Sequence, residues 1–115
     1  IYVRARSALG SGATDSYNLL AAGSLTDIHG TAIDLDELKA FYIVPTSGSI
    51  RIDAPASAFL TIFSDASDVL NVPASGLLMD FGAAGLDVTT NSKFDVTEST
   101  SAATADYTLV LIGAS

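Results

Sequence analysis

The sequence contains neither cysteine nor tryptophan, and each absence excludes a class of protein. Without cysteine, the fold has no disulfide bond and no thiolate ligand for a structural zinc ion. A chain of 115 residues without such staples depends on a well-packed core or on assembly with other chains, and we expect assembly. The absence of tryptophan argues against a glycosidase and against a common carbohydrate-binding site.

Charged residues make up only 16% of the sequence, against about 25% in an ordinary soluble domain. The hydrophobic share is 49%, and the other residues are largely serine, threonine and glycine. A monomer normally keeps its exposed apolar patches small and covers its exterior with charge. The composition therefore predicts that neighbouring proteins cover part of the surface, with a monomeric, adhesive β-sandwich as the alternative.

Basic residues are also scarce, with five Lys and Arg against thirteen Asp and Glu and a net charge of −8. An acidic protein repels phosphate backbones, so we expect no nucleic-acid partner. Arg4 and Arg6 make the start of the chain slightly basic, since Asp15 is the only acid among the first 24 residues. No apolar run approaches the ~20 residues that span a bilayer, so we expect no membrane partner.

The pattern of short apolar runs predicts an all-β fold. Turn signals recur about every 8–12 residues, which is typical of a sandwich or barrel, and no helical period persists beyond one turn at residues 36–39. We predict a single antiparallel β-sandwich, jelly-roll-like, of about eight short strands. The candidate segments from which these strands are drawn are residues 17–20, 31–35, 40–44, 50–53, 58–63, 69–72, 77–81, 86–90, 94–97 and 106–112.

Two boundaries follow from the same pattern. Residues 1–16 have no sustained period and contain Gly10-Ser11-Gly12, so we predict an extended N-terminal arm over 1–16 and the sandwich domain over 17–115. Deleting the arm should weaken assembly and leave the fold intact. Residues 46–49 (TSGS) form a strong turn signal, which predicts a hairpin of the strands at 40–44 and 50–53. Residues 82–85 (GAAG) indicate another turn.

The sequence offers no catalytic constellation, and we predict that the protein is not an enzyme. His29 is the single histidine and lies in a predicted loop, and no serine occupies a Gly-x-Ser-x-Gly elbow. We expect no catalytic residue and no cofactor, because no glycine-rich nucleotide fingerprint precedes a helix.

Calcium is the one metal that the composition allows, since it needs only carboxylate and carbonyl oxygens. Asp65 and Asp68 share a predicted loop and are weak calcium candidates, ahead of the cluster at residues 34–37. Neither segment has the spacing of an EF-hand loop.

Five segments carry a resemblance to a known family. They are residues 34–43 (DLDELKAFYI), 46–50 (TSGSI), 65–73 (DASDVLNVP), 76–78 (GLL) and 105–113 (ADYTLVLIG). In their order and type the chain resembles small bacteriophage virion proteins of β-sandwich type, which have a similar length and lack cysteine. The resemblance implies a non-enzymatic part of the assembled particle: a capsid decoration (cement) protein, a head-fibre base or a tail accessory subunit.

A decoration protein would be exposed at the virion surface and contact other copies of itself and a major capsid protein. A homo-oligomer such as a trimer is then expected. The predicted inter-subunit arm would contact the neighbour through Ile1, Tyr2, Val3, Arg4 and Arg6. Two other classes remain open: a module that binds a cell-surface glycan or protein, and a pilin-like filament subunit.

Overall fold

The computed structural model describes residues 1–20, 25–53, 69–89 and 92–114. These residues form two four-stranded antiparallel sheets that enclose one core, and none of them is helical. Among the described residues there is no helix long and apolar enough to cross a membrane. The strands are β1 Tyr2–Leu9, β2 Thr14–Asn18, β3 Glu37–Ser47, β4 Ile50–Asp53, β5 Val69–Val72, β6 Leu78–Asp87, β7 Lys93–Glu98 and β8 Ala105–Ala114.

The strand pairing is nested. The first strand pairs with the eighth, the second with the seventh, the third with the sixth and the fourth with the fifth, all antiparallel. One sheet has the order β1-β8-β3-β6 and the other has the order β2-β7-β4-β5. Successive strands therefore lie in different sheets, except for β4 and β5. This arrangement confirms the predicted all-β sandwich.

The core lies between the sheets and contains aromatic residues at its centre. Tyr17 and Phe94 stack with ring centroids 4.8 Å apart, and Phe41 meets Phe94 edge to face at 5.3 Å. Ile43 and Leu109 from the opposite sheet are fully buried in the same cluster. Such aromatic pairs contribute about 0.5–1.5 kcal/mol beyond their buried area, so this cluster joins the two sheets.

The predicted N-terminal arm is wrong. β1 pairs with β8 from Tyr2 opposite Leu111 to Leu9 opposite Ala105, and Tyr2 and Leu9 belong to the core. Residues 14–18 form β2 and pair with β7, so the sandwich begins at β1 and residue 17 starts no domain. The arm was predicted because residues 1–16 contain Gly10-Ser11-Gly12 and show no sustained period. In the structure Arg4 and Arg6 take the inward phase of β1, which reverses the usual pattern of a half-buried strand.

Three local predictions are also wrong. β3 and β4 form no hairpin, since residues 46–49 carry the chain from one sheet to the other. Residues 36–39 form no helical turn, because β3 begins at Glu37, and residues 82–85 continue β6. β3 passes through Pro45, which lies beyond the part of β3 that pairs with β6, so at Pro45 the strand has a neighbour on one side only, Tyr107 of β8.

Candidate interaction surface

The outward side of the β1-β8-β3-β6 sheet has an apolar central part that reaches from β1 to β6. Val3, Val110, Tyr42 and Met79 stand opposite one another in register and form a row from β1 to β6. Side chains alternate between the two sides of a strand, and the residues that flank Val110 are buried, so the row faces away from the core. We call this surface the apolar face; it consists of Val3, Ala5, Ala40, Tyr42, Val44, Met79, Thr108, Val110 and Ile112.

Large hydrophobic side chains of the apolar face are accessible to solvent. Val3 is 48% exposed, Met79 44% and Ile112 40%, and Ile1, which precedes β1, is 70% exposed. None of the nine residues that define the face is charged, and the described charged residues nearest to it, such as Asp106, lie at its ends. Single exposed hydrophobic residues are common on proteins, whereas a contiguous apolar patch across the middle of a sheet is a candidate interaction surface.

The outward side of the other sheet is polar, which shows that the apolar face is not a general property of this protein. Arg51 and Asp53 alternate with buried isoleucines on β4 and form an ion pair at 2.8 Å. Asp95 stands opposite Asp53 on β7, and Thr97 donates a hydrogen bond to the second oxygen of Asp53 at 2.6 Å. The sandwich therefore presents one hydrated side and one apolar side.

A polar network joins the two sheets where β1 approaches β2. Tyr107 donates its hydroxyl hydrogen to Oδ2 of Asp15, and Nε of Arg6 donates to the same oxygen at 2.8 Å. The hydroxyls of Tyr107 and Tyr17 lie 2.5 Å apart, and Nη1 of Arg4 donates to Tyr17 at 3.2 Å. A hydroxyl has one hydrogen and Tyr107 uses its own toward the carboxylate, so Tyr17 donates to Tyr107. All the donors of this chain therefore point the same way: Arg4 donates to Tyr17, Tyr17 donates to Tyr107, and Tyr107 donates to Asp15.

The network fixes the ionisation of its members. Burial would raise the pKa of Asp15, but the hydrogen bonds from Arg6 and Tyr107 and the charge of Arg4 together lower it. Burial raises the pKa of Tyr107, and its hydrogen bonds to Asp15 and Tyr17 add to the increase. Asp15 therefore stays ionised and both tyrosines stay neutral at ordinary pH, which suits a structural connection between the sheets.

A second polar connection involves Glu98, at the end of β7, which sequence reasoning did not single out. Its side chain is buried, and its carboxylate accepts hydrogen bonds from the backbone N–H of Gly12 at 3.0 Å, of Thr100 at 2.9 Å and of Ser101 at 2.8 Å. The hydroxyl of Thr100 is a fourth donor. These bonds, that of Thr100 first, lower the pKa of Glu98 from 4.5 to about 2. The carboxylate ties the loop between β1 and β2 to the loop after β7.

The structure separates the five residues that were predicted to form the inter-subunit arm. Ile1 and Val3 lie on or beside the apolar face and are exposed. Tyr2 lies in the core, while Arg4 and Arg6 bind within the chain to Tyr17 and Asp15. The geometry of Arg4 and Arg6 therefore gives no support to the prediction that they contact a neighbouring subunit.

The structure assigns no site to the histidine or to the calcium candidates that the sequence offered. His29 is exposed in a turn, where its N–H and that of Thr31 donate to Oδ1 of Asp27. The calcium candidates Asp65 and Asp68 lie outside the described residues. Within the described ranges, no three histidine or carboxylate side chains are grouped closely enough to hold a metal ion.

Comparison with known proteins returned no matching family model, no matching curated protein and no matching solved structure.

Proposed function

We propose that this protein is a non-enzymatic structural subunit of a virus particle, a phage capsid decoration (cement) protein that stabilises the shell by packing on neighbouring subunits. The observation that carries the proposal is the apolar face, which spans four strands and contains exposed Val3 and Met79. Burying such a surface against another protein releases roughly 25 cal/mol per Å² of apolar area. The resemblance of the sequence to small phage virion proteins is the reason for proposing that this contact lies in a virus particle.

The architecture supports the proposal without deciding it. As part of the proposal, we interpret the nested strand pairing as a jelly roll. Jelly rolls occur in viral capsid domains and also in lectins and cupins. A fold of this kind hosts many unrelated functions, so the argument depends on the apolar face and not on the fold.

The two alternative functions receive less support. A pilin-like subunit needs an N-terminal arm that completes the sheet of a neighbour, whereas β1 pairs with β8 of its own chain. A glycan-binding module needs exposed aromatic side chains at one end of the sandwich. Of the four tyrosines, three are buried and Tyr42 lies half-buried on the apolar face, while Phe59 and Phe63 lie outside the described residues.

The test is quantitative mass spectrometry of purified particles from the source, with this chain scaled to the most abundant shell protein. A high, near-integer copy ratio is the expected result. A ratio of a few copies per particle would contradict a decoration role, and complete absence would overturn the virion function.

A matched pair of substitutions then asks whether the apolar face makes the contact. Val3 and Val69 are both valines on edge strands, 48% and 50% exposed, but Val69 lies on the polar sheet. Val3→Asp should lower the copy number in particles at least tenfold, because it places a charge in the buried contact. Val69→Asp should leave the copy number unchanged, and equal losses from both variants would contradict the proposed contact.

A further inference from the structure

We infer that the apolar face binds the apolar face of a second copy of this chain, with a two-fold axis that runs along the row Val3–Val110–Tyr42–Met79. The inference rests on the proposed function, since it takes the apolar face as the contact surface and names its partner. It is argued from the charge distribution and from the dimensions of the sheet.

The charge of the chain limits how two copies can meet. Each copy carries a net charge of −8, so most relative orientations bring like charges together. The polar sheet presents Asp53 and Asp95 at its outward side, whereas the apolar face contains no ionisable acid or base other than the Tyr42 phenol. Two copies therefore approach at the lowest electrostatic cost through their apolar faces.

The charges at the two ends of the face select the direction of the axis. Asp106 lies at the start of β8, and the ion pair of Glu37 and Lys39, 3.6 Å apart, lies beside the other end of β8. An axis parallel to the strands would bring the two Asp106 carboxylates together. An axis along the row places Asp106 of one copy over the neutral pair of the other. The two carboxylates are then roughly 27 Å apart, well beyond the Debye length of about 8 Å.

The dimensions of the face indicate how strong the contact is. Strands about 4.8 Å apart and three rows of outward residues about 6.8 Å apart give a projected area of roughly 400 Å² per copy. Stable interfaces bury about 800 Å² per partner, so this contact alone belongs to the weak class. We expect a dimer that depends on concentration and that gains strength where many copies are held side by side.

Sedimentation velocity over about 10 μM to 1 mM measures this equilibrium for the whole chain. The wild type should shift from monomer to dimer across the range. Val3→Asp and Met79→Asp should each raise the dissociation constant at least tenfold, because the axis places each new carboxylate against its own copy. Val69→Asp is the matched control and should leave the dissociation constant unchanged, while circular dichroism checks that all variants fold.

Charge reversal tests the axis itself. Met79→Asp and Met79→Lys should each be monomeric alone, and their equimolar mixture should recover the dimer, because position 79 faces position 79. A mixture that stays monomeric overturns the axis. If the wild type stays monomeric at about 1 mM, a second copy is not the partner of the apolar face. The proposed function would still be tested by the copy number in particles, so the two failures can be told apart. Equal weakening by Val69→Asp and Val3→Asp overturns the face as the interface.

Discussion

The hydroxyl oxygens of Tyr17 and Tyr107 lie 2.5 Å apart, although the two residues are 90 positions apart in the chain and belong to different sheets. Tyr107 also donates to Asp15, whose carboxylate is held by Arg6. The sandwich is therefore closed near β1 and β2 by a polar connection as well as by apolar packing. Removing either hydroxyl would leave the other with one hydrogen bond in place of two, Tyr107 to Asp15 or Tyr17 from Arg4.

We expect a double-mutant cycle on this pair to show coupling. Tyr17→Phe should lower the free energy of unfolding by about 1 kcal/mol, and Tyr107→Phe by about 2 kcal/mol, because Tyr107 also loses a charged acceptor. The double variant should cost less than the sum of the two single changes, since either single change already removes the hydrogen bond between the two hydroxyls. Urea unfolding measures all three, with Tyr42→Phe on the apolar face as the control. Strict additivity would show that the two hydroxyls do not interact.

Glu98 makes the stability of the protein depend on pH. Its folded-state pKa of about 2 is below its ordinary value of 4.5. A carboxylate with a lowered folded pKa contributes stability in full above the unfolded pKa, and this contribution is lost as the pH falls through the folded value. We therefore expect the wild type to lose stability between about pH 4.5 and pH 2 through this group.

Thermal unfolding of the wild type and of Glu98→Gln at pH 2 to 7 isolates that contribution, because the other acids are the same in both proteins. The midpoint of the variant should lie below that of the wild type at pH 6, and the difference should shrink as the pH falls toward 2. A difference that stays constant over this range would mean that the hydrogen bonds of Glu98 do not depend on its charge.

Alanine substitutions at Gly48 and Gly30 would distinguish the cost of backbone strain from the cost of a steric clash of the added Cβ. Both have positive φ angles, of 72° and 82°, but an added Cβ at Gly48 would lie 2.6 Å from the carbonyl oxygen of Thr104, whereas none lies within 4 Å at Gly30. Gly30→Ala should cost about 1 kcal/mol from backbone strain alone. Gly48→Ala should cost about 1–3 kcal/mol more, because the turn between the sheets must move away from Thr104. Chemical denaturation compares the two variants, and equal costs would show that the close approach at Gly48 relaxes freely.

Much of the fold could be predicted from the sequence because it is written in local patterns. Strict alternation identified β4 at Ile50–Asp53, and a short apolar run between turn residues identified β5 at Val69–Val72. The same local signals mistook residues 46–49 for a hairpin. A glycine turn has the same chemistry whether its two strands pair in one sheet or lie in opposite sheets, so nothing local distinguishes the two outcomes.

The candidate site depended on information that no local pattern contains. In β8, both Val110 and its neighbours Leu109 and Leu111 are apolar, so the alternation defines two faces without saying which one is buried. In β1 the pattern misleads, because Arg4 takes the inward phase and Val3 the outward phase.

The sequence by itself determined that this protein is an all-β sandwich without disulfides, poor in charge and rich in small polar residues. Only the tertiary structure decided which face of the β1 sheet is buried. The reason is that Asp15 and Tyr17, on the opposite sheet, provide hydrogen-bonding partners for the inward arginines of β1, and this favours the orientation of β1 that leaves Val3 outside.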